Sequence, residues 1–237
     1  MLTVRQQRPL KVLVFLLALG PLFTLVWKAL HDIPQTAAIP FIGQGIDRWS
    51  LGANPIEVIT RSTGKWTLVF LLITLAISPA RKLLIAPWLI RFRRMTGLFA
   101  FFYGSLHFVT YIWLDKFFDI NEMLADIAKR KFITVGFTAF VLLVPLAITS
   151  TSGWIRRLGG KRWNRLHKLV YVSAVLGVLH FLWLVKFDTR RPIYFGTVLA
   201  ALLLYRITVW LFSRNRRIRA TSHGPRATRH APLTTDS

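Results

Sequence analysis

The sequence predicts an all-α polytopic membrane protein, a six-helix transmembrane bundle with both termini on the cytoplasmic side. Three observations lead there: an apolar composition, six apolar segments of near-membrane length, and basic residues gathered on one side. Of 237 residues, 54% are apolar and 17% charged, with a mean hydropathy of +0.47. Soluble domains average about 45–50% apolar and about 25% charged, so the balance favours lipid and excludes general disorder. The chain contains no cysteine. Disulfides, thiolate zinc sites, Cys-ligated Fe–S clusters, thioether-attached haem and a Cys nucleophile are therefore excluded, and any metal falls to His or oxygen ligands.

A bilayer core about 30 Å thick needs roughly 20 mostly apolar helical residues. Segments 12–30, 66–80, 96–114, 132–148, 168–185 and 192–212 meet or approach this. The second and fourth are short and are expected to borrow flanking residues or to let Arg81 and Lys131 snorkel. Pro21 and Pro145 fall inside spans, which a membrane helix tolerates when neighbours satisfy the freed carbonyls. The first segment follows Arg5, Arg8 and Lys11, as a signal peptide would. Its apolar stretch exceeds the usual h-region of about 7–15 residues, so a retained helix is expected. The division is then a cytoplasmic N-terminus (1–11), one membrane domain (12–212) and a basic tail (213–237).

The net charge of +23 comes from 32 basic and 9 acidic side chains. With the N-terminus inside, most basic residues fall on inner segments together with one acid, Asp236, and the other acids fall outside. That is the positive-inside pattern, so the charge reports topology and not nucleic-acid binding. The arginine-rich tail, with Gly224 and Pro225, reads as disordered and held to acidic lipid. The segment from His31 to Lys65, rich in Pro and Gly, reads as a long outer loop. The inner segment 82–94, with Trp88 among leucines and arginines, is expected in the interface plane.

Of six histidines, His31, His223 and His230 fall in a loop end and the tail, where solvation is the ordinary outcome. His107 and His180 lie inside the third and fifth spans, where an ionisable side chain is costly and points to function. The two contexts match: Gly104-Ser105-Leu106-His107-Phe108 and Gly177-Val178-Leu179-His180-Phe181. The two spans run in the same direction. Both imidazoles fall about 8–10 Å from the outer end at 1.5 Å per residue. A glycine three residues earlier lies on roughly the same face, where it would clear room for a flat macrocycle. A pair of imidazoles on facing helices with apolar walls makes a bis-His b-type haem site. A dry zinc site would need a third or fourth ligand, and no carboxylate or thiol is available at that depth.

His167 lies at the cytoplasmic mouth of the fifth span, about 20 Å of helix rise from His180. Arg94 holds the equivalent place on the third. Three readings stay open: a ligand of a second haem, a contributor to the first haem's environment, or a locally hydrogen-bonded interfacial His. Arg93, Arg94, Arg162 and Arg165 could clamp propionates or a flavin phosphate, or simply mark the inner face. Most of the 18 Phe, 9 Trp and 5 Tyr belong to lipid-facing or belt positions. Phe108, Phe181, Tyr103 and Tyr171 are the candidates for contact with a macrocycle. No Gly-rich phosphate loop follows a strand, so electrons are expected from a separate donor.

These residues carry a resemblance. Asn54-Pro55 after Gly52-Ala53, Thr63-Gly64, and Arg93-Arg94 through Gly97-Leu98 to Leu106-His107 are part of it. Thr149-Ser150 and the run Gly160-Lys161-Arg162-Trp163 through Leu166-His167, Tyr171 and His180 to Trp183 and Lys186 complete it. The chain resembles the MsrQ family over residues 10–212. That family provides the haem-binding membrane subunit of a bacterial periplasmic methionine sulfoxide reductase system, within the ferric-reductase-like transmembrane group. The resemblance implies that His107, His167 and His180 are haem-associated and that b-type haem and FMN are cofactors. It further implies the quinone pool or a cytosolic flavin reductase as donor, a periplasmic molybdopterin reductase as acceptor and partner, and an inner-membrane location. A longer first outer loop (33–50) and a longer basic tail depart from the family pattern.

The reading is a membrane haem protein, with one or two b haems, passing electrons from the cytoplasmic leaflet toward the periplasm. A stand-alone ferric or cupric reductase keeps the haem but dispenses with the protein partner. A haem-free, proton-coupled transporter is the other alternative, and the lack of carboxylates within the spans opposes it.

Overall fold

The computed structural model describes residues 4–35, 54–185 and 187–222, and within them the chain is helical, with no strand. The order is α1 (Val4–Gln35), α2 (Pro55–Leu83), a 3-10 turn (Pro87–Phe92), α3 (Arg93–Thr110) and a π turn (Tyr111–Asp115). Then follow α4 (Ile120–Lys129), α5 (Lys131–Ile148), α6 (Ser152–Leu166), α7 (Leu169–Leu184) and α8 (Arg190–Ser222). Five spans are long and apolar enough to cross a membrane by themselves. A sixth results when α6 and α7, bent by 41°, count as one broken span.

Four helices make the centre. α2 packs most extensively on α3 and α5 on α7, while α3–α5 and α2–α7 contacts close the ring. α3 and α7, which carry His107 and His180, thus stand on a diagonal. Lipid offers no hydrophobic drive for helix pairing, so small residues and interhelical hydrogen bonds must do it. Gly97, Ala100 and Gly104 put a small-residue seam on α3, with Ala100 wholly buried. Ser173, Ala174 and Gly177 do the same on α7. The Thr74 and Thr96 hydroxyls meet at 2.9 Å to tie α2 to α3, and Ser173 Oγ donates to the Ala139 carbonyl at 2.9 Å to tie α7 to α5. Other span hydroxyls, such as Thr67 and Thr138, donate to the carbonyl four residues back and so carry no unmet polar cost.

Tyr103 joins α1 to this core. It is wholly buried and stacked on Phe70 at 5.4 Å. Its hydroxyl donates to the Ala18 carbonyl (2.8 Å) and accepts from the Leu22 N–H (3.2 Å), bridging a donor and an acceptor one helical turn apart on α1. Tyr103 is therefore turned to α1, which corrects its placement beside a macrocycle.

Two further expectations are corrected. Residues 55–65, read as loop, are the first three turns of α2. Asn54 accepts from the Glu57 N–H at 3.2 Å, with Pro55 at the first helical position. An Asn-Pro start with an acid three residues on is a helix-opening signature that the run of Pro and Gly before it obscured. The same extension lengthens the short second span, as expected. Likewise α8 runs to Ser222, ten residues beyond the predicted start of disorder, because arginine is a good helix former and no Gly or Pro intervenes before Gly224. The rest of the tail, and residues 36–53 of the outer loop, lie outside the described residues.

The segment before α7, taken as an inner connection, is the cationic helix α6, broken at Gly159 (φ +72°), a left-handed conformation that glycine accepts without strain. At the opposite end, α4 lies between α3 and α5. Lys116 reaches Glu122 (2.6 Å) and Asp126 (2.7 Å), and Arg130 adds a contact to Asp126 (3.3 Å). Thr134 Oγ1 donates to the Ile127 carbonyl, fastening α4 to the start of α5.

Candidate functional site: a histidine pair in the bundle

The structure brings His107 and His180 together across the bundle, with ring centroids 6.1 Å apart and planes at 73°. Each ring is fixed in the same way. His107 Nδ1 lies 2.9 Å from the Thr60 carbonyl of α2, and His180 Nδ1 lies 2.7 Å from the Phe132 carbonyl of α5. A carbonyl oxygen can only accept, so each Nδ1 carries a proton, and in the neutral form that apolar surroundings favour each Nε2 keeps its lone pair. This is the arrangement in which an imidazole is held for metal binding, its far nitrogen oriented by a backbone partner.

Each pairing rests on a glycine four residues past the accepting carbonyl. A Cβ on Gly64 would come within 3.0 Å of His107 Cε1, and one on Gly136 within 2.5 Å of His180 Nδ1. Real Cβ atoms essentially never approach to the latter distance, so His180 sits in a notch that only glycine leaves open, while at Gly64 a side chain would require the His107 ring to give by a few tenths of an ångström. These two positioning residues escape a reading that looks for glycines on the histidine's own helix. Gly104 and Gly177, the glycines picked out by that reading, have more room. Added Cβ atoms there would stand 3.4 Å from Thr67 and 3.6 Å from Leu68. One turn beyond His107, α3 passes into the Tyr111–Asp115 π turn, a local rewinding that recurs near functional sites.

The walls are aromatic and aliphatic. Phe108 packs on Phe140 at 4.9 Å and on Phe137 at 5.7 Å, while Phe181 turns to Phe195 of α8 at 6.1 Å. Among the described residues no group of three or more His, Cys, Asp or Glu is assembled. The donor set is thus two neutral imidazoles in apolar surroundings. Two metal–nitrogen bonds of ~2.0 Å plus two half-rings span roughly 6 Å, so the ring separation matches a pair flanking one metal. A planar macrocycle would provide the remaining ligands, and the residues present fit a bis-His haem.

His167 is apart from this pair, in the bend between α6 and α7. Its ring stacks on Trp163 at 3.8 Å, and its Nδ1 lies 3.1 Å from the Trp163 carbonyl. Trp163 is itself anchored by its Nε1 to the Thr149 carbonyl at 2.9 Å. The His167 Nε2 is buried without a hydrogen bond of ordinary geometry, and the Leu146 carbonyl stands close enough to interact with the ring. Arg93 is half-buried and close enough to interact with His167, whereas Arg94, Arg162 and Arg165 are exposed. Tyr171 meets Arg206, a cation within the last span whose guanidinium lies over the ring at 5.0 Å and donates to its hydroxyl. Arg206 also donates to the Leu75 carbonyl at 3.0 Å. The sequence shows Arg206 only as a lone cation in an apolar helix, with nothing to name its partners.

The ferric reductase like transmembrane component family matches residues 63–178, from the glycine notch on α2 into α7. Curated relatives are named protein-methionine-sulfoxide reductase heme-binding subunit MsrQ. The one from Herminiimonas arsenicoxydans is 62% identical over 177 residues, covering 73% of this chain and 81% of the relative. The one from Azospira oryzae is 49% identical over 231 residues, covering 97% and 88%. That from Ralstonia nicotianae is 47% identical over 226 residues, covering 94% and 95%. With identity sustained across nearly its whole length, the chain belongs to the MsrQ family.

Proposed function

We propose that this protein is the membrane electron-transfer subunit of a methionine sulfoxide reductase system, with His107 and His180 as the axial ligands of a b-type haem. The observation that carries the reading is the paired fixing of both imidazoles: Nδ1 donating to a carbonyl on each side, lone-pair nitrogens left over, rings 6.1 Å apart. The bound haem supplies one-electron chemistry. The chain's own part is to hold two neutral imidazoles, orient them through Thr60 and Phe132, and exclude water with Phe108, Phe137 and Phe140. Gly104 and Gly177 leave space for the macrocycle one turn from each ligand.

The lower region serves delivery of electrons. His167, whose buried Nε2 makes no hydrogen bond of ordinary geometry, ligates a second haem or shapes the environment of the first. Arg93 and its neighbour Arg94, with Arg162 and Arg165 shortly before His167, offer charge to propionates or to a flavin phosphate; FMN rests on the family resemblance. The basic ends of the helices face the cytoplasm of a bacterial inner membrane, and both termini lie there. Electrons enter from the quinone pool or a cytosolic flavin reductase. They leave, from the haem in the opposite half of the bilayer, to a periplasmic molybdopterin-containing methionine sulfoxide reductase.

The test is the absorption spectrum of the detergent-purified protein, oxidised and dithionite-reduced, with haem quantified against protein. Sharp reduced α and β bands are expected, and His107→Ala and His180→Ala should each remove the share of them that belongs to this haem. A full low-spin spectrum retained by either variant would sink the ligand assignment. Reduction of soluble ferric or cupric salts at full rate without any periplasmic subunit would instead favour the stand-alone reductase.

A further inference from the structure

At the end of the bundle that carries Arg81 and Arg93, a cleft of about 600 Å³ opens between α2, α8 and the start of α7. Lys82, Lys168 and Arg206 line it, together with Tyr171, Leu203 and Trp210. No carboxylate lines it. Every acidic residue that the structure describes, from Asp32 to Asp188, belongs to the segments at the opposite end of the spans. Arg93 and Arg81 stand close enough to add to the same positive field. Arg206 spends two of its nitrogens on Tyr171 and Leu75, and its Nε is buried without a partner. Cations gathered beside lipid without a countercharge repel one another, and an anion from outside the protein would offset this.

The shape narrows the anion. The volume lies in the range of organic-ligand sites, and the wall on α8 is apolar. Leu204, Ile207, Leu211 and Phe212 continue that helix outward as exposed apolar surface. A guanidinium flanked by two ammonium groups suits a phosphate. We propose that the cleft binds the phosphate of an anionic amphiphile, whose apolar part lies along α8. The lateral apolar surface favours an anionic phospholipid of the surrounding leaflet; a phosphorylated flavin shares the chemistry. The inference does not depend on the haem reading.

The experiment is native mass spectrometry of the full chain in detergent, titrated with phosphatidylglycerol, phosphatidylcholine or FMN. Phosphatidylglycerol should bind at least ten-fold more tightly than phosphatidylcholine. The double substitution Lys82→Gln/Lys168→Gln, on exposed side chains, should remove that preference with helix content unchanged. Arg206→Lys, which keeps the charge but loses the fork geometry, should weaken binding several-fold. FMN that displaces phosphatidylglycerol, with the same dependence on Lys82 and Lys168, assigns the phosphate to a flavin. Equal retention of both lipids without FMN binding, or an anion preference unchanged in the double variant, overturns the proposal.

Discussion

The α2–α3 and α5–α7 halves of the bundle repeat one device and then diverge. In each, a glycine notch with a carbonyl four residues earlier receives a histidine from the partner helix: Thr60, Gly64 and His107 in one, Phe132, Gly136 and His180 in the other. Toward the basic end the correspondence stops. α3 begins from a 3-10 turn with Arg93 and Arg94, while α7 begins at a bend that holds His167 against Trp163. In the proposed haem site the matched region is where two ligands meet at one centre, which demands equal reach from both sides. The unmatched region has no such demand, and each half is free to specialise.

The most damaging way to break the matched pair is to fill a notch. Gly136→Ala places a methyl 2.5 Å from His180 and Gly64→Ala places one 3.0 Å from His107. Gly136→Ala should lose most of the low-spin α band per protein and Gly64→Ala a smaller share. The order reverses only if α2 is the stiffer partner. Gly104→Ala and Gly177→Ala, read in the same assay, measure how much room the macrocycle needs on the ligand's own helix.

His167→Ala sharpens the divergence. The band that depends on His107 and His180 should remain. A haem-to-protein ratio cut by half identifies His167 as ligand of a second haem, whereas an unchanged ratio with an altered band shape assigns it to the first haem's surroundings.

A smaller effect is expected where α4 links the halves. Lys116 holds the Asp126 carboxyl below its usual range by hydrogen bonding, and Asp126 and Glu122 in turn raise Lys116. A carboxylate lowered on folding contributes stability above its unfolded value, and that contribution disappears as the pH falls through the lowered one. The raised lysine contributes below its unfolded value and loses its contribution only as pH rises through the higher one. The link should therefore hold across neutral pH and fail in strong acid first. Asp126→Asn should cost roughly 1–3 kcal/mol, between exposed and buried pairs, seen as a lowered Tm at pH 7 with little difference from wild type near pH 2. Least of all, Thr74→Val and Ser173→Ala each remove one interhelical hydrogen bond and should cost about 0.6 kcal/mol in the bilayer.

The spans and the histidine pair are legible in the sequence because both rest on local rules: apolar run length, positive-inside bias, and the cost of an imidazole in lipid. The notches are not, since Gly64 and Gly136 acquire meaning only once α2 is known to face α3 and α5 to face α7. A search along the histidine's own helix therefore arrives at Gly104 and Gly177. Tyr103 and Arg206 fail to show for the same reason: their partners, Ala18 and Leu75, are backbone atoms tens of residues away. The start of α2 was readable in Asn54, Pro55 and Glu57, and was masked by the composition around it. The break inside α6 depends on Gly159, whose positive φ no periodicity reveals.

The Tyr103 hydroxyl on α1 bears on how the protein is made. Ribosomes deliver α1 to the membrane long before residue 103 is synthesised, so the first span enters lipid without the contact that later fixes its rotation and depth. It must wait, loosely placed, until the third span arrives and reads the Ala18–Leu22 turn. Assembly of the bundle is then ordered by the chain's own layout, with the N-terminal helix inserted first and seated late.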